Sequence, residues 1–275
     1  QAIRGVPVAK IVSGIQLGVR LAVQSLHERS RPLAGLEDPL LRQAAYIAGR
    51  EHEDIAELII DGASRLNAEQ LLDPAFHFAD TILSHDKPIH EVWPGLLLGG
   101  RKAKPFMHER CSGRRVLVLQ AALEPEALDE EALATEAGFQ QYLLHKQQFL
   151  DQLHKLRKMD VGLIVTDRGI SPEAEQFCAD HGILVQQRVS RQDLRRVCEL
   201  TGAVPLKRVA LHKPEEELIR YCGWAETLYY DAKLERIRLA QGAGAPTVTI
   251  LVGASTAEVV GERARRLVAL LGDHD

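Results

Sequence analysis

The residues best suited to chemistry in this sequence are scattered, and none completes a catalytic pattern. Gly242-Ala-Gly-Ala-Pro246 and Gly253-Ala-Ser255 flank an apolar run, where backbone N–H groups at a helix start would cradle a phosphate. Neither string fits G-x-G-x-x-G, and neither supplies the lysine a P-loop needs after its last glycine. Ordinary turns are the simpler reading. His52-Glu53 opens like a helical zinc motif, but Ala56 stands where the second histidine ligand belongs. His77, His85 and His90 share one irregular stretch, as a metal cluster or, more simply, as solvated loop histidines. Asp167-Arg-Gly169 follows an apolar run, a place where α/β proteins bring ligand groups. A turn that needs Gly169 explains it equally well. No Ser–His–Asp or Cys–His order stands out, so an α/β enzyme using the Asp167–Gly169 turn is the least favoured of three functional readings.

Composition narrows the class. The 275 residues suffice for one large domain or two smaller ones. Aromatics are only 5%, so the core must rest on Leu, Val, Ile and Ala, which favours a helix-rich α/β protein over a β-sandwich. A net charge of −4 gives no reason to expect nucleic acid or an acidic membrane surface as partner. No apolar run is long enough to span a bilayer. Cys111, Cys178, Cys198 and Cys222 show no C-x-x-C spacing and read as buried, reduced thiols of a cytoplasmic protein. The chain begins at Gln1 and passes directly into helical pattern, as an excised segment would.

The elements follow from periodicity. Residues 7–28 predict a helix, with Pro7 suited to its first turn and Ile11, Ile15, Val19 and Val23 at fourfold spacing. Asp38-Pro39 opens a second helix, and Gly49 separates it from a third at about 52–65. Residues 75–115 contain Pro88, Pro94, Gly95, Gly99, Gly100 and Pro105 and read as loop and short strand. Arg115–Leu119, Val161–Thr166 and Ile183–Gln187 are uninterrupted apolar strands of the parallel-sheet kind. Helices at about 138–159, 171–181 and 190–202 alternate with them, implying a βαβ layer. A hairpin (226–230 with 236–240), a strand at 247–252 and a helix at 256–271 close the chain. Helices at the front and a strand–helix at the back flank the central block, so one domain can be built from both ends with the other inserted.

The helix at 138–159 carries more apolar residues than one buried face needs. Leu150, Leu153 and Leu156 continue a core stripe, whereas Phe139, Tyr142 and Leu143 sit at the start beside an acidic loop, Glu124 to Glu131. Exposed apolar groups at a helix tip mark a protein contact; an ordinary core is the competing reading.

Five segments resemble one family, in one order. Arg114-Arg-Val-Leu-Val-Leu-Gln-Ala-Ala-Leu-Glu124 resembles the strand and turn that open the apical core of thermosomes and CCT subunits. Asp160-Val-Gly-Leu-Ile-Val-Thr-Asp-Arg-Gly-Ile170 resembles their next strand, and Arg188-Val-Ser-Arg-Gln-Asp-Leu194 with Leu200-Thr-Gly-Ala203 the helix that follows. Ala245-Pro-Thr-Val-Thr-Ile-Leu-Val-Gly-Ala-Ser255 is similar to a strand of the intermediate domain, and Arg4-Gly-Val-Pro7 to the approach to the last equatorial helix. The resemblance covers nearly the whole chain and is nearest to the bacterial group III chaperonins.

It implies an α/β fold in which a chaperonin apical domain, βα layers with a helical protrusion, is inserted in a discontinuous α/β intermediate domain. Residues 1–28 would be an equatorial junction helix, 29–84 and 225–275 the two intermediate pieces, and 85–224 the apical domain, with a lid protrusion at about 124–144. The implied function is binding of non-native polypeptides for ATP-driven folding, in a double ring with other subunits. The implied binding surface joins Phe139, Tyr142 and Leu143 to Glu173, Gln176 and Asp180, while Ala174, Phe177 and Cys178 pack inward. ATP and Mg belong to the full-length family; this chain is expected to carry no cofactor or metal and no ATPase activity, since the equatorial GDGTT motif does not occur in it. Alignment on Val259-Val-Gly-Glu262 puts the family's catalytic Asp at Ala269, with Asp273 as an alternative one turn on. A free-standing interaction module of the same fold is the second functional reading.

Overall fold

The computed structural model describes residues 7–31, 35, 38–48, 53–73, 76–85, 89–99, 111–128 and 134–253. The chain divides into two compact units, Gln1–Ala44 and Ala45–Asp275. In the first, α1 (Val8–Arg29) starts after Pro7 and ends at Ser30, whose hydroxyl donates to His27 O at 2.9 Å. No residue of α1 is buried, and Ile15, Val19 and Leu26 are more than half exposed. Packing therefore gives this helix little stabilisation, although tertiary burial is what holds most helices. Asp38 accepts from Leu40 N at 2.9 Å and so opens α2 (Pro39–Ala48), which runs across the unit boundary.

In the second unit, α3 (Glu53–Ser64) and α4 (Ala68–Leu72) precede a small sheet of β1 (Ile82–His85), β2 (Glu91–Trp93) and β9 (Thr249–Gly253), ordered β1-β9-β2. Distant pieces of chain meet here: β1 runs parallel to β9 with Ile82 opposite Ile250, and β2 antiparallel with Trp93 opposite Thr249. A Cβ on Gly62 of α3 would stand 2.6 Å from Ile250 Cδ1, so the glycine permits the helix to lie this close to β9.

A six-stranded sheet has the order β3-β8-β7-β4-β5-β6, from β3 (Gly95–Leu98), β4 (Cys111–Leu119), β5 (Val161–Thr166), β6 (Leu184–Gln186), β7 (Gly223–Asp231) and β8 (Arg236–Gly242). The strands β4, β5 and β6 are parallel, joined by α5 (Glu136–Lys158) and α6 (Pro172–Asp180). Their apolar runs lack alternation because both faces are covered. Leu117, Leu119 and Ile164 pack with Leu153, Leu156 and Phe177 of α5 and α6. Val116, Val118 and Val165 pack with Leu194, Val197 and Leu200 of α7 (Arg191–Thr201).

Local signals set the helix ends. Thr135, Ser171 and Ser190 each accept a backbone N–H three residues on, at 3.0–3.2 Å, which defines the starts of α5, α6 and α7. Gly202 ends α7 in the left-handed region (φ 73), donating to Cys198 O at 2.8 Å.

The segment read as loop and short strand holds β3, buried along its whole length. Two expectations change. Strand β4 begins at Cys111 rather than Arg115. The boundary expected between 224 and 225 falls inside β7. The hairpin β7–β8 lies within the six-stranded sheet because Ala225, Leu228, Ile237 and Leu239 bury into the same core as Val116 and Leu163. The helix expected at 256–271 and the turn at Gly49 lie outside the described residues.

The two sheets are tied by Arg238 of β8. Its side chain, 7% exposed, makes two bonds to Glu91 of β2 (2.7 and 2.8 Å), one to Asp231 (2.7 Å), and stacks 4.5 Å from the centre of the Trp93 ring. Trp93 donates to Leu239 O at 3.0 Å. Removing either carboxylate would leave a buried guanidinium under-paired, which explains why two are supplied.

Candidate functional site

The long helix α5 has two different halves. At its C-terminal root, Phe149, Leu153 and Leu156 are at most 4% exposed, each burial contributing roughly 1.5–3 kcal/mol. At its N-terminal tip, Phe139, Leu143 and Leu144 are 47%, 45% and 54% exposed. Leu150, placed in the core stripe by sequence, is on the solvent side; counting back four from Leu153 reaches Phe149, which takes the core position. Tyr142 is half-buried, and its ring lies 5.1 Å beneath Lys146 Nζ. Leu144 extends the tip patch and was missed, because a third apolar residue in a row reads as core.

Two neighbours converge on the tip. Lys146 reaches across to Glu173 of α6 at 3.4 Å, and His145 Nδ1 lies 3.2 Å from Glu126 O in the segment after β4. Contact with Tyr142 and then with Glu173 raises the Lys146 ammonium above its ordinary range. Its own backbone N–H, helped by Lys146 and Ser171 against a smaller desolvation, holds the Glu173 carboxyl below the usual range. Both groups are therefore charged at neutral pH.

On α6, Glu173, Gln176 and Asp180 face solvent while Ala174, Phe177 and Cys178 are buried, the orientation expected from periodicity. Gln176 donates to Asp180 at 2.7 Å. Phe177 stacks on His181 (4.1 Å) and meets His154 of α5 edge-on (4.9 Å), which fixes α6 against the α5 root. Burial pushes the Cys178 thiol up to about 12, too high for a nucleophile at neutral pH. Cys198 and Cys222 are likewise pushed up to about 11, and all three are free thiols.

The other candidates do not assemble. The backbone N–H groups of Gly244 and Ala245 donate to Leu200 O and Glu199 O at 2.8 Å, so the glycine-rich string caps the C-terminal end of α7. Gly169 has ordinary φ, and a Cβ there would meet only Gln187 Oε1 at 3.9 Å; the turn does not need glycine, contrary to the sequence reading. Its backbone instead bridges loops, with Leu123 N donating to Gly169 O (3.1 Å) and Arg188 N to Arg168 O (2.9 Å). His77, His85 and His90 join no metal-holding group among the described residues. No helix among them is long and apolar enough to cross a membrane. His52, Ala269 and Asp273 lie outside the described residues.

A cleft of about 460 Å³ is lined by Asn67, Asp73 and Asp80 and by Arg195 and Arg196 of α7. Arg196 is lowered from its ordinary range by burial, has Asp193 at 4.0 Å, and donates to Val248 O at 3.4 Å.

Comparison with known proteins matches residues 1–269 to the TCP-1/cpn60 chaperonin family. The thermosome subunit alpha of Aeropyrum pernix is 26% identical over 278 residues, covering 94% of this chain and 49% of the relative. The thermosome subunit beta of Thermococcus sp. (strain KS-8) is 25% identical over 275 residues with the same coverage. The chain thus spans about half the length of the curated relatives it matches. Among solved structures, a group III chaperonin in the open state superposes with a TM-score of 0.85 at 38% identity, over 99% of this chain and 55% of that one. An open-state monomer of a group II chaperonin from Methanococcoides burtonii gives 0.60 at 14% identity, a likeness of fold alone. The sheets and helices are those of chaperonin apical and intermediate domains, and the chain belongs to the TCP-1/cpn60 chaperonin family.

Proposed function

We propose that this chain is the polypeptide-binding portion of a chaperonin subunit, and that the α5 tip with the solvent face of α6 captures non-native chains. The observation that supports it most is the contrast within α5: a helix rooted by three buried side chains holds Phe139, Leu143 and Leu144 in water. Non-directional apolar burial, at roughly 25 cal/mol per Å², suits a surface that must accept many sequences. The segment after Leu123 with the first turns of α5 would be the lid. Release follows when the ring moves this surface away from the client, because only differential affinity between two states can shift the equilibrium.

In this reading ATP and Mg are handled by a part of the subunit beyond these 275 residues. The α1 helix joins that part, which covers its exposed apolar side chains. The working assembly is a double ring in the cytoplasm, with neither nucleic acid nor membrane as partner. Suppression of aggregation of several unrelated denatured clients tests the reading. The chain should protect them all, and Phe139→Ser with Leu143→Ser should abolish protection without altering the circular dichroism. Protection of a single client would favour a dedicated interaction module. Nucleotide binding by this chain alone would overturn the division of labour.

A further inference from the structure

The surface around the α5 tip is acidic as well as apolar. Glu124 and Glu126 precede it, Glu136 stands in the first turn of α5, and Glu173 and Glu175 stand in the first turn of α6; all but the half-buried Glu175 are exposed. Among the described residues the fixed cations nearby are fewer. Lys146 is held by Glu173, Arg208 shares a small crevice with Glu126 and His145, and Arg168 follows β5. The acidity is local, for the next helix, α7, carries Arg191, Arg195 and Arg196.

Carboxylates alone would not make a binding site. Here the His145–Glu126 and Lys146–Glu173 contacts place Glu126 and Glu173 against the turn of α5 that exposes Leu143 and Leu144. An apolar patch of this kind holds an apolar segment, and its charged border acts on whatever flanks that segment, within a screening length of about 8 Å at physiological salt. Opposite charges across such a border favour one partner, and like charges disfavour the other.

We infer that this surface selects non-native segments in which an apolar run is flanked by lysine or arginine, and discriminates against runs flanked by aspartate or glutamate. The inference rests on the capture reading above and adds a rule of client choice. Discrimination is strongest at low salt and fades as salt screens the border, whereas the apolar contribution persists.

Two fluorescein-labelled peptides with one shared apolar core, flanked by lysines or by glutamates, test it by anisotropy titration against the whole protein. The lysine-flanked peptide should bind on the order of ten-fold more tightly at low salt, and the two should converge at high salt. The double variant Glu126→Lys, Glu136→Lys, at two exposed positions outside the apolar patch, should cancel or reverse the preference. Equal, salt-independent affinities would overturn the charge rule and leave capture standing. Failure of both peptides to bind at any salt would overturn the rule together with the capture reading.

Discussion

The root and the tip of α5 share one helix but are held to different tasks. The root alternates buried and exposed positions with helical period, placing Phe149, Leu153 and Leu156 against β4, β5 and α6. The tip carries Phe139, Tyr142, Leu143 and Leu144 within six residues and buries none of them fully. Burying such residues normally drives folding. Leaving them in water forgoes that stabilisation, and the intact root is what keeps the exposed end helical. In the proposed reading, a surface that must let go of its client needs this arrangement: the rigid part supplies the fold and the wet part supplies adhesion.

The largest effect that separates the halves is chemical accessibility. Cys178 lies in the root core with its thiol pushed up to about 12. Its alkylation at mildly alkaline pH should require opening of that core, whereas a cysteine introduced as Leu143→Cys should react at once, faster by roughly a thousand-fold or more. Comparable rates would erase the distinction. Next in size, Leu153→Ala should cost about 2–5 kcal/mol in denaturant unfolding, read as a lower midpoint at unchanged slope. A smaller loss, about 1 kcal/mol, is expected for Thr135→Ala, which removes the N-cap bond to Gly138 and frays the tip first; hydrogen exchange should rise at residues 136–140 before it rises at the root. Smallest of all, Leu143→Ser should shift stability by no more than about 0.5 kcal/mol while weakening client binding. A large stability loss there would mean that the tip belongs to the core.

Acid sharpens the comparison at the sheet junction. Burial pulls the Asp231 carboxyl upward, but bonds from Arg238 and the Leu234 N–H outweigh it and hold the group below its ordinary range. A depressed carboxyl stabilises the fold above its unfolded value, and that contribution is lost as pH falls through the folded one. Acid should therefore loosen the anchoring of Arg238 on its own sheet, and Asp231→Asn should remove that part of the pH dependence.

How much of this was legible varies with the range of the interaction. The strands β4 and β5 could be read directly because they are buried on both faces and show unbroken apolar runs. Helix starts at Ser171 and Ser190 were equally plain, since a cap is a local signal. Strand β3 was only partly legible: the Pro- and Gly-rich stretch around it read as loop and short strand, without its bounds or its partner β8, some hundred and forty residues away. Likewise nothing near Arg238 announces that its partner is Glu91. At the site, periodicity oriented α6 correctly, but it misassigned Leu150 and passed over Leu144. A dense apolar run in a helix does not say which face finds a partner, and only the position of β4 and β5 decides that.

The most direct test of the central claim is a photoactivatable crosslinker attached at Leu143→Cys in the whole protein, presented with one client in native and in chemically denatured form. The account predicts crosslinks to the denatured client and none to the native one, with a matched probe at the solvent-facing Asp151 of the root giving neither. Equal crosslinking of both client forms, or crosslinks from Asp151 but not from Leu143, would contradict it.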